Sequence, residues 1–466
     1  MIKVVLNLSD DANILKSLVS YFKGTASGGL LHAVENDIDK LISKTNNVET
    51  VFTSNFSKCV CDDKNGWTIA VCVLNGNSAN LDKIKKLYMN LSGICSDKVY
   101  LLAVFGDRYV AANLAWENDI DNIDIQVLPK NGDWSILFQN ISKYIAQKDK
   151  IITLRNKDVI LYGYKPYAAS SYVDINYICD AGYHGEVNIN KKSVPVISLN
   201  SMLKKKKAYV LIGLIDQDHL KQAVDLLKSK GIEYDFLDNY IIKPVMIYLD
   251  YIVNHSIVCY RDIWKNKFVY AGNRPYRMAI NIQPFSYDRR MDGNKVYIGN
   301  NFECSLPQNS YIRLRSPKNY VYIADNVTII SAEIIVSGAQ KVIIRENTLI
   351  ARNAILRCEI SHTLFDGKTK AALPQKQDIY IGRHVWLGEE CYLLSGARVG
   401  DGAVMGARSV TSGSIEANTV AVGAPAKVIK TNILWSKDNF DLDQKKTIYD
   451  CVDQDGLKYY DGADKK

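Results

Sequence analysis

The sequence predicts a multidomain chain in which N-terminal α/β domains precede a C-terminal left-handed parallel β-helix. Three observations predict it. The 466 residues exceed what one core fills, so about three domains of roughly 100–200 residues are expected. Up to about Ile242, strand-like apolar runs alternate with helix-like ones. From Ile381, a large aliphatic residue recurs at every sixth position without a slip.

Residues 1–150 read as an α/β domain of unknown role. Strand-like KVVLNL, WTIAVCVLN and KVYLLAVFG alternate with helix-like runs, two of which end at Gly24 and Gly93. Residues 151–245 read as a second, Rossmann-like α/β domain. DVILYGY, NYICD, PVIS and AYVLIG are its strands, and the helix DQDHLKQAVDLLKSKG closes at Gly231. A turn that cradles phosphates needs glycines where backbone approaches the ligand, and in Gly163-Tyr164-Lys165-Pro166-Tyr167-Ala168 only one is present. The domain is therefore either a scaffold or a working ligand site. Residues 246–295 form a connecting region, rich in aromatics and without clear period. The β-helix spans residues 296–435, and residues 436–466 are a tail.

The repeat carries the strongest signal. IGRHVW, LGEECY, LLSGAR, VGDGAV and MGARSV follow one another from Ile381. Position one holds Ile381, Leu387, Leu393, Val399 and Met405; position five holds Val385, Cys391, Ala397, Ala403 and Ser409. One large side chain per step points into a narrow triangular prism, and a small one fits beside each corner. Three steps make a coil, and stacked coils bury what one coil alone cannot. Upstream the rhythm is rougher, at Val296, Ile323 and Ile344. Between Ser361 and Tyr380 the stretch SHTLFDGKTKAALPQKQDIY breaks the pattern, so it must loop out of the prism, and loops on rigid scaffolds carry function.

Composition narrows the classes. A formal charge of +8 spread along the chain fits anionic small molecules or a membrane surface better than nucleic acid. Its one cluster, Lys204 to Lys207, reads as a solvated turn or a membrane-surface contact. No stretch approaches the roughly 20 apolar residues that span a bilayer. Ten cysteines without framework spacing, with Cys59 and Cys61 only a C-x-C pair, point to reduced thiols and a cytoplasmic protein with no metal site.

ISHTLFD, DIYIGRHVWLG, VGDGAVMGARSV and VAVGAPAKVIK, in that order, resemble the hexapeptide-repeat O-acetyltransferases. That family includes galactoside and maltose acetyltransferases and those that decorate capsule and lipopolysaccharide. The resemblance covers residues 296 to 430. It implies acetyl transfer from acetyl-CoA to a sugar hydroxyl of a bacterial surface polysaccharide or its precursor. It also implies a homotrimer with clefts between neighbouring prisms. His362 stands where the family has its general base. A sugar hydroxyl attacks poorly until its proton is removed, and imidazole titrates near neutral pH. Glu359 and Asp366 are the nearest acids that could orient the ring.

For the donor, the resemblance assigns Trp386 to the cleft wall and Gly388, Glu389, Gly406 and Ala407 to the pantetheine. Ser412-Gly413 stands where the family often has Thr-Lys, so Ser412 is a weakened phosphate contact. Lys427 and Lys430 suit the nucleotide phosphates. Peripheral contact with membrane-associated glycan machinery is a further partner. His384, at a coil corner, reads as structural or as a support to the site; His32, His184, His219 and His255 lie outside the repeat and read as surface or core residues.

Two rival readings stand beside this one. N-acetyl transfer to an amino sugar nucleotide would suit the Rossmann-like region. A non-catalytic trimerisation module would need no base. A γ-type carbonic anhydrase uses the same prism but needs three zinc-binding histidines, and only His362 and His384 lie in the repeat.

Overall fold

The structure, a computed structural model, describes residues 2–7, 48–52, 67–76, 95–117, 123–128, 157–164, 173–189, 192–205, 207–214, 216–240, 245–261, 265–282, 291–359, 362–373 and 377–437, with single positions at 134, 142, 146, 150 and 154. The helices expected to end at Gly24 and Gly93, His32, the Cys59/Cys61 pair, the Lys165–Ala168 turn and tail residues 438–466 lie outside these.

Five parallel strands form the first sheet, in the order Val48–Phe52, Ile2–Asn7, Trp67–Gly76, Cys95–Phe105, Ile123–Val127. Helix α1, Arg108–Glu117, follows the fourth strand and buries Ala111, Ala112 and Ala115. It packs on the first sheet and also on the prism. Trp116 lies 5.2 Å from the ring of Tyr297 and 5.4 Å from that of Tyr320, and Tyr109 Oη donates to Asp325 at 2.9 Å. Arg108 is buried with its guanidinium over Tyr270, and desolvation brings its pKa down to about 10.

A second parallel sheet runs Glu233–Phe236, Ala208–Ile212, Asp158–Tyr162, Tyr177–Cys179. Apolar clusters cover both of its faces. Helix α2, Gln217–Ser229, is capped by Asp216, whose carboxylate accepts from His219 N, and it stops at Gly231 with φ +63°. PVIS meets this sheet at one bridge, with Val196 parallel to Ile178 and Ile197 N donating to Ile178 O at 2.7 Å, while Lys192–Pro195 pairs antiparallel with Glu186–Ile189. At the first turn, Asp180 accepts the N–H of Tyr164 at 2.7 Å and that of Gly182 at 2.8 Å.

The rest is a parallel β-helix of three faces. Face one is built on Ala279–Ile282, Tyr311–Leu314, Ala332–Val336, Ala354–Cys358, Tyr392–Leu394 and Val410–Thr411. Face two is built on Lys267–Tyr270, Lys295–Ile298, Tyr320–Ile323, Lys341–Ile344, Ile379–Ile381, Arg398–Val399 and Ser414–Ile415. Face three is built on Glu303–Cys304, Thr328–Ile329, Leu349–Ile350, Trp386–Leu387, Val404–Met405 and Val420–Val422, and ends in the antiparallel strand Lys427–Lys430.

All ten residues at repeat positions one and five, from Ile381 to Ser409, are 0% exposed. Nine of them, all but Ser409, belong to one continuous stack of apolar layers, where each large aliphatic side chain contributes about 1.5–3 kcal/mol. Coils of 18 residues occur where the rhythm is strict: Tyr380 pairs with Arg398 and Trp386 with Val404. Earlier coils are longer, with Thr328 facing Leu349 and Glu303 facing Thr328, which is why their rhythm is rough. The ladder also begins before Val296. Lys267–Tyr270 and Ala279–Ile282, inside the stretch 246–295 expected as a connection, pair in parallel with the next coil.

Candidate active site

The stretch that breaks the repeat leaves the corner between faces one and two, after Cys358, and returns at Ile379. Its two ends are held differently. At the departure, the side chain of Glu359 is 2% exposed, and both of its oxygens accept from Arg315 Nη1 at 3.1 Å while Arg357 Nη2 reaches one at 3.3 Å. At the return, Gln377 N donates to Ser395 Oγ at 3.1 Å, and that hydroxyl donates back to Gln377 O at 2.8 Å. Cys358 Sγ lies 3.2 Å from the same carbonyl, and burial pushes its pKa up to about 12, so it stays a thiol.

Between these anchors the loop doubles back, with Phe365 bridged to Ala372. Asp366 makes the reversal: its carboxylate accepts from Thr369 N at 2.6 Å, Lys368 N at 2.9 Å and Thr369 Oγ1 at 3.0 Å, which holds its pKa below the usual carboxylate range. His362 is exposed at the start of the loop. Of the two acids nearest in sequence, Glu359 bonds to arginines and Asp366 holds its own turn.

Gly388, Glu389, Gly406 and Ala407 come together at the corner between faces three and one, in successive coils. A Cβ on Gly388 would sit 2.7 Å from Ala407 N, and one on Gly406 would sit 2.7 Å from Val422 Cγ1, so close coil stacking is what selects glycine there. Gly388 N donates to Met405 O and Gly406 N to Ala421 O. The N–H groups of Glu389 and Ala407 bond to no carbonyl of the described residues. Both residues are exposed, one strand spacing of about 4.8 Å apart. A flexible ligand carrying amide carbonyls fits such a corner. Ser412 is exposed at the corner the loop leaves, two coils further on, and Lys427 and Lys430 are exposed on the last strand.

Trp386 points outward from face three and is 40% exposed. Trp435 flanks it with ring centroids 5.8 Å apart, and Trp435 in turn stacks on His384 at 4.2 Å. His384 is 2% exposed and takes φ +50° at the corner where other coils place Asn301, Asn326, Asn347, Gly402 and Asn418. Its role is structural, since it anchors the returning tail. That tail runs back along the corner, with Ile433 N donating to Asn418 O and Lys437 Nζ to Asn326 O. Trp435 was not among the residues singled out from sequence. Its one signal is a lone tryptophan in the polar segment after the last repeat.

His362 thus follows the corner between faces one and two, while Trp386 stands on face three. No cluster of three or more metal-ligating side chains occurs among the described residues.

No family model matches the chain. It is 30% identical to the putative lipopolysaccharide biosynthesis O-acetyl transferase WbbJ of Escherichia coli K12 over 191 residues, covering 38% of this chain and 90% of that protein. It is 30% identical to the polysialic acid O-acetyltransferase of Escherichia coli O1:K1 over 25% of this chain, but spans 38% of that relative's length. Among solved structures, the polySia-specific acetyltransferase NeuO aligns at 26% identity with a TM-score of 0.33, over 42% of this chain and 93% of that one.

Proposed function

Because the chain belongs to the hexapeptide-repeat O-acetyltransferases, enzymes of the acyltransferase class, we propose that it moves an acetyl group from acetyl-CoA to a hydroxyl of a bacterial surface polysaccharide of the capsule or lipopolysaccharide type, or of its precursor. The observation that carries this reading is His362: an exposed imidazole at the head of a loop whose two ends are pinned to the prism.

In this mechanism the neutral imidazole of His362 takes the proton of the acceptor hydroxyl as its oxygen attacks the thioester carbonyl. The new C–O bond forms, the C–S bond breaks, and the departing thiol receives the proton from the imidazolium. No covalent acyl-enzyme is needed.

The donor lies along the corner of Gly388, Glu389, Gly406 and Ala407, where two N–H groups suit the amide carbonyls of pantetheine. Trp386 walls the cleft. Ser412, Lys427 and Lys430 serve the nucleotide phosphates. His362 and the pantetheine corner sit on different edges of one prism, which supports a trimer in which His362 of one subunit serves the donor corner of its neighbour. The winding is the left-handed one of the family. Since acetyl-CoA is a cytosolic metabolite, the reaction takes place in the cytoplasm.

The test is acetyl-CoA turnover with bacterial surface oligosaccharides as acceptors. An alkali-labile ester is expected as product, and His362→Ala should lower kcat by about 100-fold or more. An undiminished alanine variant, or an amide product, would overturn the reading.

A further inference from the structure

We propose that a hollow on the first coils of the prism is a second saccharide subsite, which holds an acceptor chain at a distance from the reacting hydroxyl. The ligand named rests on the reading of the chain as a glycan O-acetyltransferase; the hollow itself does not. It has a volume of about 410 Å³ and is lined by Asn273, Arg274, Asn300, Asn301, Phe302 and Glu303. That volume lies within the roughly 300–1,000 Å³ of small-molecule sites.

The hollow exists because face three starts late. Its first strand is Glu303–Cys304, and the coil before it crosses this face as the irregular segment from Ala271 to Met278. That segment is held in place: Tyr270 Oη donates to Arg274 O at 2.8 Å, and Asp250 N donates to Tyr276 O at 2.7 Å. Phe302 closes the base, itself buried, where it meets Tyr270 edge-on at 6.4 Å and Tyr276 edge-on at 5.8 Å.

The rim is polar and close to neutral. Arg274 Nη1 pairs with Glu303 Oε1 at 3.0 Å, and Asn301 Nδ2 donates to Asn326 Oδ1 at 3.1 Å. The side-chain amides of Asn273 and Asn300 hydrogen-bond to none of the described residues. Side-chain amides beside an arginine–carboxylate pair supply donors and acceptors together, the complement of a sugar's belt of hydroxyls.

Its position supplies the link to the reaction. Glu303 pairs with Thr328, Thr328 with Leu349, and Leu349 with Trp386, so the hollow and Trp386 end one outward row. Three strand spacings amount to about 14 Å, which a few linked sugar residues bridge. The returning tail, from Trp435 to Lys437, runs beside this row and walls it on one side. The enzyme is thereby selective for a chain of sugars over a single one.

The test uses the full-length protein on an array of bacterial capsule and lipopolysaccharide oligosaccharides. Wild type and His362→Ala should bind the same chains. Asn273→Ala/Asn300→Ala/Glu303→Gln should lose about tenfold or more in apparent affinity for them while keeping coenzyme A affinity. Asn273→Ala alone, at an exposed position, should lose part of it. The proposal is overturned if the triple variant binds every chain as wild type does, or if wild type binds none. A wild type that binds chains in the hollow yet acetylates none would instead sink the proposed function and leave the subsite standing.

Discussion

His384 and Trp435, 51 residues apart, hold each other by two reciprocal hydrogen bonds: Trp435 Nε1 donates to His384 O at 2.8 Å, and His384 Nε2 meets Trp435 O at 2.9 Å. Their rings stack 14° from parallel. A carbonyl can only accept, so Nε2 carries the proton and the tautomer of His384 is set. Through Trp435 this pair also orients Trp386.

Trp435→Ala removes the stack and the Nε1 bond, leaving in place the carbonyl that His384 meets, and should cost about 3 kcal/mol locally. Trp435→Phe keeps a ring and should cost about 1 kcal/mol. Hydrogen exchange of residues 431–437 measures both. Protection unchanged in the alanine variant would mean that the tail is held by something else.

Gly388→Ala should lower stability by about 1–3 kcal/mol, because its Cβ would press on the next coil's backbone at Ala407. Gly413→Ala, where a Cβ meets nothing within 4 Å, should stay within about 0.5 kcal/mol of the parent. Thermal unfolding of the two side by side decides whether stacking, rather than glycine content, sets the requirement.

Glu359→Gln leaves the Arg315 and Arg357 cations without their buried counter-charge. The loop then loses its departure anchor, and kcat should fall about tenfold or more with coenzyme A affinity unchanged. Equal loss in both would point to general unfolding.

Asp366 holds the loop's turn through hydrogen bonds to its ionised form. Its folded pKa lies below its unfolded one, so this contribution is complete above the ordinary aspartate pKa and disappears as pH falls through the lower, folded value. Asp366→Ala should therefore reduce turnover at neutral pH and abolish any acid-side loss that the turn causes. A variant with wild-type turnover would show that the reversal does not position His362.

Much of the prism was legible because its periodicity is physically compelled. An aliphatic residue every six positions can bury itself only if each step turns the same way, and Ile381, Leu387, Leu393, Val399 and Met405 are fully buried as that rhythm requires. The extruded loop was legible for the converse reason: from Ser361 to Asp378 the chain offers no regular series of interior residues, although Ile379, expected in the loop, is already back in the prism. The helix from Gln217 to Ser229 was equally readable, with Asp216 and Gly231 marking its ends by local chemistry alone.

What only the tertiary structure decided depends on residues distant in sequence. Lys267–Tyr270 and Ala279–Ile282 join the ladder without a hexapeptide period, because their partners rather than their own spacing supply the register. From sequence Glu359 reads only as an acid near His362; the fold brings Arg315, 44 residues earlier, onto its carboxylate. His384 looked like one more corner residue until the tail brought Trp435 onto it. By itself the sequence determined which side chains had to enter the prism, since burial of apolar surface acts on every coil alike; hydrogen bonds and ion pairs need one particular partner at one distance, and folding alone settles which partner arrives.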